Sequence, residues 1–493
     1  MNKLIERKAF LLCSNAVIVI VMLVGVAGAS AKSSIVDAAQ LFLENKTGSP
    51  AFIDSQAVQT ARLTPLGTRA ARIAQSNQYL AVAYQQGSVI RLRSTKKEGE
   101  GAWIPFPPVL GSGAAPSLVF SDDTTVHVVW VDTNQRLIYH VSCTLTLNRA
   151  TCGTPLAINI NNGDTVEAPE ITFLAGTLYV AWVNSSAAQV IVARSATGGS
   201  SWQLNTTPLG ASNSSGSTLA LAASGSLIHL AYSYNSGANI KYYRSTDGNT
   251  WSNGRDFGPD FNYLQVSNPT IEANGNNVYL AWDSLHKDIQ LDDGFRKYGL
   301  LGILSIDGGV NWEDSNAGTP VTDDPRYITS NNAFGSGTST DRRRTREVSG
   351  ANPPEEAGLR PSLALTPGNT FAIVWQERPD ASCVADESGT VITSNGTSEI
   401  QYAAAANPAT PDSSGWWATK TAVDTASINF YSIDPDFVID GSGRHAVFMK
   451  SAAESGEVNC RAGGGGNEYA IYYRGPYYTT VDPDEVLFPV IVK

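Results

Sequence analysis

Apolar and polar positions along the chain fall into one pattern that returns seven times. A short apolar run opens on a proline in "APSLVF", "APEITF", "NPTIEA", "RPSLAL" and "DPDFVI", beginning at Ala115, Ala168, Asn268, Arg360 and Asp434. A turn and a second apolar run follow each time: "VHVVW", "TLYVAW", "NVYLAW", "TFAIVW" and "RHAVFM". "AARIAQSNQYLAVAYQQ" at Ala70 and "GSTLALAASGSLIHLAYSY" at Gly216 are the same unit without the proline. Runs of this length bounded by turn residues predict strands, and their nearly continuous apolar character predicts strands covered on both faces. A third strand such as "IKYYRS", a polar turn and a fourth segment complete each unit. Four short antiparallel strands repeated about every 50 residues predict a β-propeller, with seven blades favoured over six.

The polar turn after the third strand has its own pattern, S-x-D-x-G-x-x-W. It stands as "SIDGGVNW" from Ser305 through Asp307 to Trp312, and as "STDGNTW" from Ser245 through Asp247 to Trp251. "SATGGSSW", from Ser195 to Trp202, has Thr197 in the aspartate place, and "STKKEGEGAW" from Ser94 is a degraded copy. An aspartate accepts backbone N–H bonds inside a turn, and glycine supplies a positive φ. The tryptophan is expected to fold into the gap between strands. In the second unit "SCTLTLNRATCG" replaces the pattern, and Cys143 and Cys152 are expected to close that turn with a disulfide.

This phrase resembles the Asp-box, the repeat of bacterial neuraminidases, and residues 69–475 resemble the sialidase-like propellers. The resemblance implies that the loops between second and third strands, and those crossing to the next blade, share one face that carries the site. Long segments of this kind fall in units five to seven: 283–298, the crossing 313–358, 376–398 and 451–467. Cys383 and Cys460 lie in equivalent loops of adjacent blades and are expected to pair. Sialidases hold a substrate carboxylate with three arginines, use a tyrosine nucleophile assisted by a glutamate, and an aspartate as acid/base. The aromatic-Arg-Ile-Pro motif of their first arginine is matched here only by Arg72-Ile73. Arg360 stands for a later arginine, and Tyr431 or Tyr327 for the nucleophile. No aspartate occurs between Arg72 and Asp122, so the acid/base place in the first blade is empty.

The catalytic candidates are therefore Arg72, Arg360, Tyr431, Asp434, Asp436 and Glu377. Arg360, Arg378, Tyr327, Arg342 and Arg344 are the ligand-binding candidates. Arg360 and Asp434 open inner strands from the loop face, with Asp436, Glu170 and Arg72 nearby, which predicts a ring of charge around the axis. The cluster Arg342, Arg343, Arg344 and Arg346 reads either as an anion site or as a solvated loop beside Asp341, Glu347, Glu355 and Glu356.

The net charge of −11 excludes nucleic acid as an expected partner, because phosphate binding needs a basic face. Lys3, Arg7 and Lys8 precede an apolar run over 16–28 and small residues at Ala29 and Ala31, which predicts an export signal over 1–31. That run is too short to span a bilayer, and no second one approaches that length, so no membrane span is expected in the mature chain. Of the 5 cysteines, Cys13 falls in the signal; the others read as two disulfides or as buried thiols. No cysteine or histidine spacing suggests a metal, and no cofactor is expected. Residues 32–68 form an N-terminal segment with a ring-closing strand as its candidate role, and 476–493 a strand-like tail. The expectation is a secreted or cell-surface propeller that recognises an extracellular glycan, glycoconjugate or surface protein through the loops of blades five to seven, without an intact sialidase set. A glycoside hydrolase is the alternative.

Overall fold

Among the described residues beyond the N-terminal unit, the strands form seven antiparallel sheets of four strands or more. The structure is a computed structural model that describes most of residues 60–475, with 205–217, 313–325, 328–356, 405–420 and 452–468 the longest stretches left out. In the separate N-terminal unit it describes only the paired strands Cys13–Ser14 and Val17–Ile18. Within each blade we name the strands a to d in the order of pairing.

Strands a are Thr68–Gln75, Ala114–Phe120, Val166–Leu174, Leu219–Ser224, Tyr263–Asn274, Ala357–Leu365 and Ser432–Asp440, for blades one to seven. Each packs against strand a of both neighbours, and the seventh returns to the first, so the sheets close into a ring with strands a innermost. In blade seven the first three strands come from the C-terminal part of the chain. The fourth, Thr60–Arg62, comes from its beginning and pairs with strand c, Tyr469–Arg474. Residues 476–493 lie outside the described residues.

The repeat in the sequence maps onto the core. One large aromatic sits at the same place in every strand b: Tyr84, Trp130, Trp182, Tyr232, Trp282, Trp375 and Phe448, each at most 1% exposed. A ring of this size contributes roughly 3 kcal/mol when buried, and together the seven fill the spaces between sheets.

The turns with the S-x-D-x-G-x-x-W pattern bond as their residues dictate. Asp247 Oδ1 accepts from the N–H groups of Asn249 and Thr250, both at 2.8 Å, while Ser245 Oγ accepts from Gly248 at 2.8 Å. Asp307 takes Val310 and Asn311 in the same way. In the third blade Thr197 Oγ1 fills the place with a bond from Ser201 N–H at 3.0 Å. The tryptophans differ from the sequence expectation. Their rings lie between blades and not within their own sheet: Trp202 meets His140 of blade two, and Trp312 meets Tyr242 and Phe257 of blade four. The apolar area available to a turn is the flank of the preceding sheet, because its own sheet is already covered. Strand c arginines add a polar link the sequence reading missed: Arg194 donates to Asp247 O and Arg244 to Gly308 O, each one blade onward.

In blade two the Cys143–Cys152 disulfide closes the c–d turn, with Cα atoms 3.9 Å apart. Blade five is extended: its strand b runs over Asn277–Gln290, and the hairpin Cys383–Ala385/Val391–Thr393, from the b–c loop of blade six, pairs with its strand c. Cys383 thus belongs to a strand on blade five and not to a free loop. The proposed pairing with Cys460 lies outside the described residues.

Candidate functional site at the channel mouth

Six strands a carry a β-bulge near their first residues, at Arg69/Arg72, Ala114/Ser117, Glu167/Glu170, Ser267/Thr270, Leu359/Ser362 and Ile433/Asp436. Blade four, which lacks the proline, pairs in register throughout. At the bulges Ala70, Ala115, Asn268, Arg360 and Asp434 have φ between 46° and 52°. Four of these five precede a proline, a context that favours extended backbone, so the left-handed conformation is held against local preference. Bulges re-aim side chains, and these lie at the end of the channel that the b–c loops surround.

The backbone of the bulges is fixed by neighbours. Asp283, fully buried in the middle of strand b of blade five and next to Trp282, accepts from Asn268 Nδ2 at 2.7 Å and from the Arg360 N–H at 3.0 Å. The residue after each proline links blades around the axis. Ser117 Oγ accepts from Ile171 N–H at 3.3 Å, Thr270 Oγ1 from Leu363 N–H at 3.1 Å, and Asp436 Oδ2 from Ile73 N–H at 2.9 Å. Asp436, which also accepts from Ser362 Oγ at 2.6 Å, therefore has a structural duty in closing blade seven onto blade one.

Above this layer three charged residues from three blades meet. Asp434 of blade seven lies 3.3 Å from Arg360 of blade six through Oδ1, and 3.9 Å from Arg72 of blade one through Oδ2. Their side chains are 17%, 19% and 34% exposed, so water reaches all three. Burial works against the Arg72 charge, but Asp434, Asp436 and Glu170 outweigh it and hold the guanidinium above its ordinary pKa.

Two further carboxyls face the channel. Burial pushes Glu170 up to about 7, against the pull of Arg72 and a 2.6 Å bond from Ser117 Oγ. Glu272 is likewise pushed up to about 7 by burial, against a bond from its neighbour Ala273 N–H. Burial also raises Asp436, opposed by Arg72 and Ser362. The channel is reachable by water but enclosed by protein, which penalises charge. Near neutral pH it holds carboxyls able to donate as well as accept a proton.

The structure thus brings together Arg72, Arg360, Asp434 and Asp436. Glu170 belongs with them, and Glu272 and Asp283 were missed. Glu272 was findable: alternation puts it on the face of Thr270, in a register otherwise occupied by small or apolar residues in blades one and six. Glu377 and Arg378 end strand b of blade six, opposite Gly358 and Ala357. Tyr327, expected in the long crossing, instead pairs with Leu301 as strand d of blade five, three strands from the axis, because the crossing contributes that blade's outer strand. Tyr431, Arg342 and Arg344 lie outside the described residues. Among the described residues no group of three histidine, cysteine, aspartate or glutamate side chains is arranged to hold a metal, and no helix is long and apolar enough to cross a membrane.

No family model matches the chain, and no curated protein matches it significantly. Solved structures do resemble it. An α-L-arabinofuranosidase from Fusarium graminearum, in complex with an iminosugar inhibitor, is 13% identical, with 83% of this chain and 98% of that one covered at a TM-score of 0.44. An ulvan lyase of a polysaccharide lyase family is 10% identical over 85% and 94% at 0.43. The β-propeller domain of the trilobed protease from Pyrococcus furiosus is 7% identical over 86% and 99% at 0.41. These three activities differ, and likenesses this distant assign none of them to the present chain.

Proposed function

We propose that the chain is an extracellular glycan-recognition propeller whose site is the channel mouth built by Arg72, Arg360 and Asp434. The observation that carries this reading is the meeting of these three side chains, from blades one, six and seven, at strained bulges over enclosed carboxyls. A rigid ring that holds water-accessible guanidinium and carboxylate groups side by side offers paired donors and acceptors to vicinal hydroxyls. The long loops of blades five to seven would wall the site, and a surface glycoprotein is the natural bearer of such a ligand. The sialidase-like resemblance agrees with the turn bonding. The reading takes the sialidase set as incomplete because no aspartate occurs between Arg72 and Asp122; of its two nucleophile candidates, Tyr327 sits in an outer strand and Tyr431 lies outside the described residues.

The second reading is a glycoside hydrolase, and Glu170 favours it. A carboxyl titrating about pH 7 can protonate a leaving glycosidic oxygen while the ionised partner of an arginine pair stabilises the positive sugar ring. Water would then attack the anomeric carbon and give its proton to a carboxylate. The test is binding of the purified full chain to an array of neutral and acidic glycans, with fluorogenic glycosides assayed in parallel. Arg360→Ala is expected to weaken binding tenfold or more while leaving the melting temperature within a few degrees. Unaltered affinity in this variant would place the site elsewhere. Turnover lost on Glu170→Gln would establish the hydrolase, and binding without turnover the recognition protein.

A further inference from the structure

Asp434 lies where an acidic ligand would be held. Its two oxygens are divided between Arg360 at 3.3 Å and Arg72 at 3.9 Å, so the guanidiniums that would receive an incoming carboxylate already share one. This partner is built in. Asp434 has φ +52° ahead of Pro435, and its strand is bulged at that point, so the backbone aims its side chain toward the two arginines. The surrounding charge points the same way. Among the described residues two guanidiniums face two carboxylates, Asp434 and Asp436, before Glu170 and Glu272 are counted. An anionic ligand would have to displace Asp434 or add a charge beside it.

We infer that Asp434 is the specificity-determining residue of the channel mouth: it occupies the carboxylate place on Arg72 and Arg360, so the site selects uncharged glycans and rejects uronate- or sialate-bearing ones. The inference rests on the glycan reading and narrows it. It also explains why two arginines can occupy triad-like places without making an acid-sugar site. Like-charge exclusion of this kind is how a site refuses a ligand that otherwise fits. As pH rises through about 7 and Glu170 and Glu272 ionise, the exclusion strengthens.

The experiment uses the full chain on an array of matched neutral and carboxylated glycans. The protein as it stands is expected to bind neutral members at least tenfold more tightly than their carboxylated counterparts. Asp434→Asn, which keeps the shape and tolerates a left-handed φ, is expected to gain carboxylated members by tenfold or more. Asp434→Gly, free to adopt the same φ, is the second variant if the first does not fold. Adding Arg360→Gln should erase the gain. A carboxylated glycan as the best ligand of the unsubstituted protein overturns the inference, as does a folded Asp434 variant with no gain; either result leaves glycan recognition standing. Silence of every protein on the whole array removes the glycan reading and this inference with it.

Discussion

The two ends of the blades solve opposite problems. At the turn end, side chains repeat: the glycines of the S-x-D-x-G-x-x-W turns pack on rings of the preceding blade, with Gly199 against His140 and Gly309 against Tyr242. Rings and turns there are neutral or internally satisfied, and His127, His140 and His229 are pushed well below the ordinary imidazole range by burial. At the channel mouth the backbone repeats but the side chains do not. The same bulge presents Ala70, Ala115, Asn268, Arg360 and Asp434 in turn. Repetition of side chains marks the parts that join equivalent blades. Variation on a repeated backbone marks the part free to take on a specific task.

Breaking the turn end should cost the most stability. A Cβ at Gly309 would lie 1.8 Å from Tyr242 Oη, and its φ of +80° already disfavours any side chain. Gly309→Ala is expected to cost about 3 kcal/mol or more, read as a lowered midpoint in denaturant or thermal melts. Replacing both Cys143 and Cys152 by serine opens a turn that lacks the S-x-D-x-G-x-x-W pattern. The expected loss is about 2–3 kcal/mol, checked by the same melts with and without reductant.

Acid should weaken the turn end specifically. His229, bonded to Tyr242 Oη at 2.8 Å, has a folded pKa of about 4 against 6.5 in the open chain. Between those values the unfolded chain binds more protons, so stability is fully present above 6.5 and falls as pH drops toward 4. Stability measured at pH 7 and pH 5 should fall by about 1–2 kcal/mol less in His229→Phe than in the unsubstituted chain. Equal losses would mean that the imidazole is not held neutral.

The mouth has the reverse sign. Glu170 has a folded pKa of about 7, above the ordinary 4.5, so the folded state binds the extra proton. Its contribution is present below 4.5 and is lost as pH rises through 7. Glu170→Gln, which keeps a neutral acceptor for Ser117, should stabilise by about 2–3 kcal/mol more at pH 8 than at pH 5. Stabilisation that does not change with pH would contradict the assignment.

Much of the ring was legible because it rests on residues whose local physics is strong. The prolines marked where strands a begin, the nearly continuous apolar runs marked strands covered on both faces, and the cysteine pair marked the turn that lacks the S-x-D-x-G-x-x-W pattern. Arg72, Arg360, Asp434 and Asp436 could be grouped because a strand repeat aligns them. What stayed hidden depends on contacts between blades. Nothing local says that Arg194 and Arg244 reach the next blade, that Asp283 holds the backbone of Arg360, or that a residue before proline turns left-handed. Nor does the long crossing give any sign that Arg326 and Tyr327 are the few of its residues that serve as an outer strand.

The most direct test is a crystal structure of the full chain with the tightest neutral glycan from the array. The account predicts sugar hydroxyls within hydrogen-bond distance of Arg360, Arg72 or Asp434, over the mouth of the channel. A sugar bound only at the c–d turn end or on the outer strands, with these three side chains untouched, would contradict it.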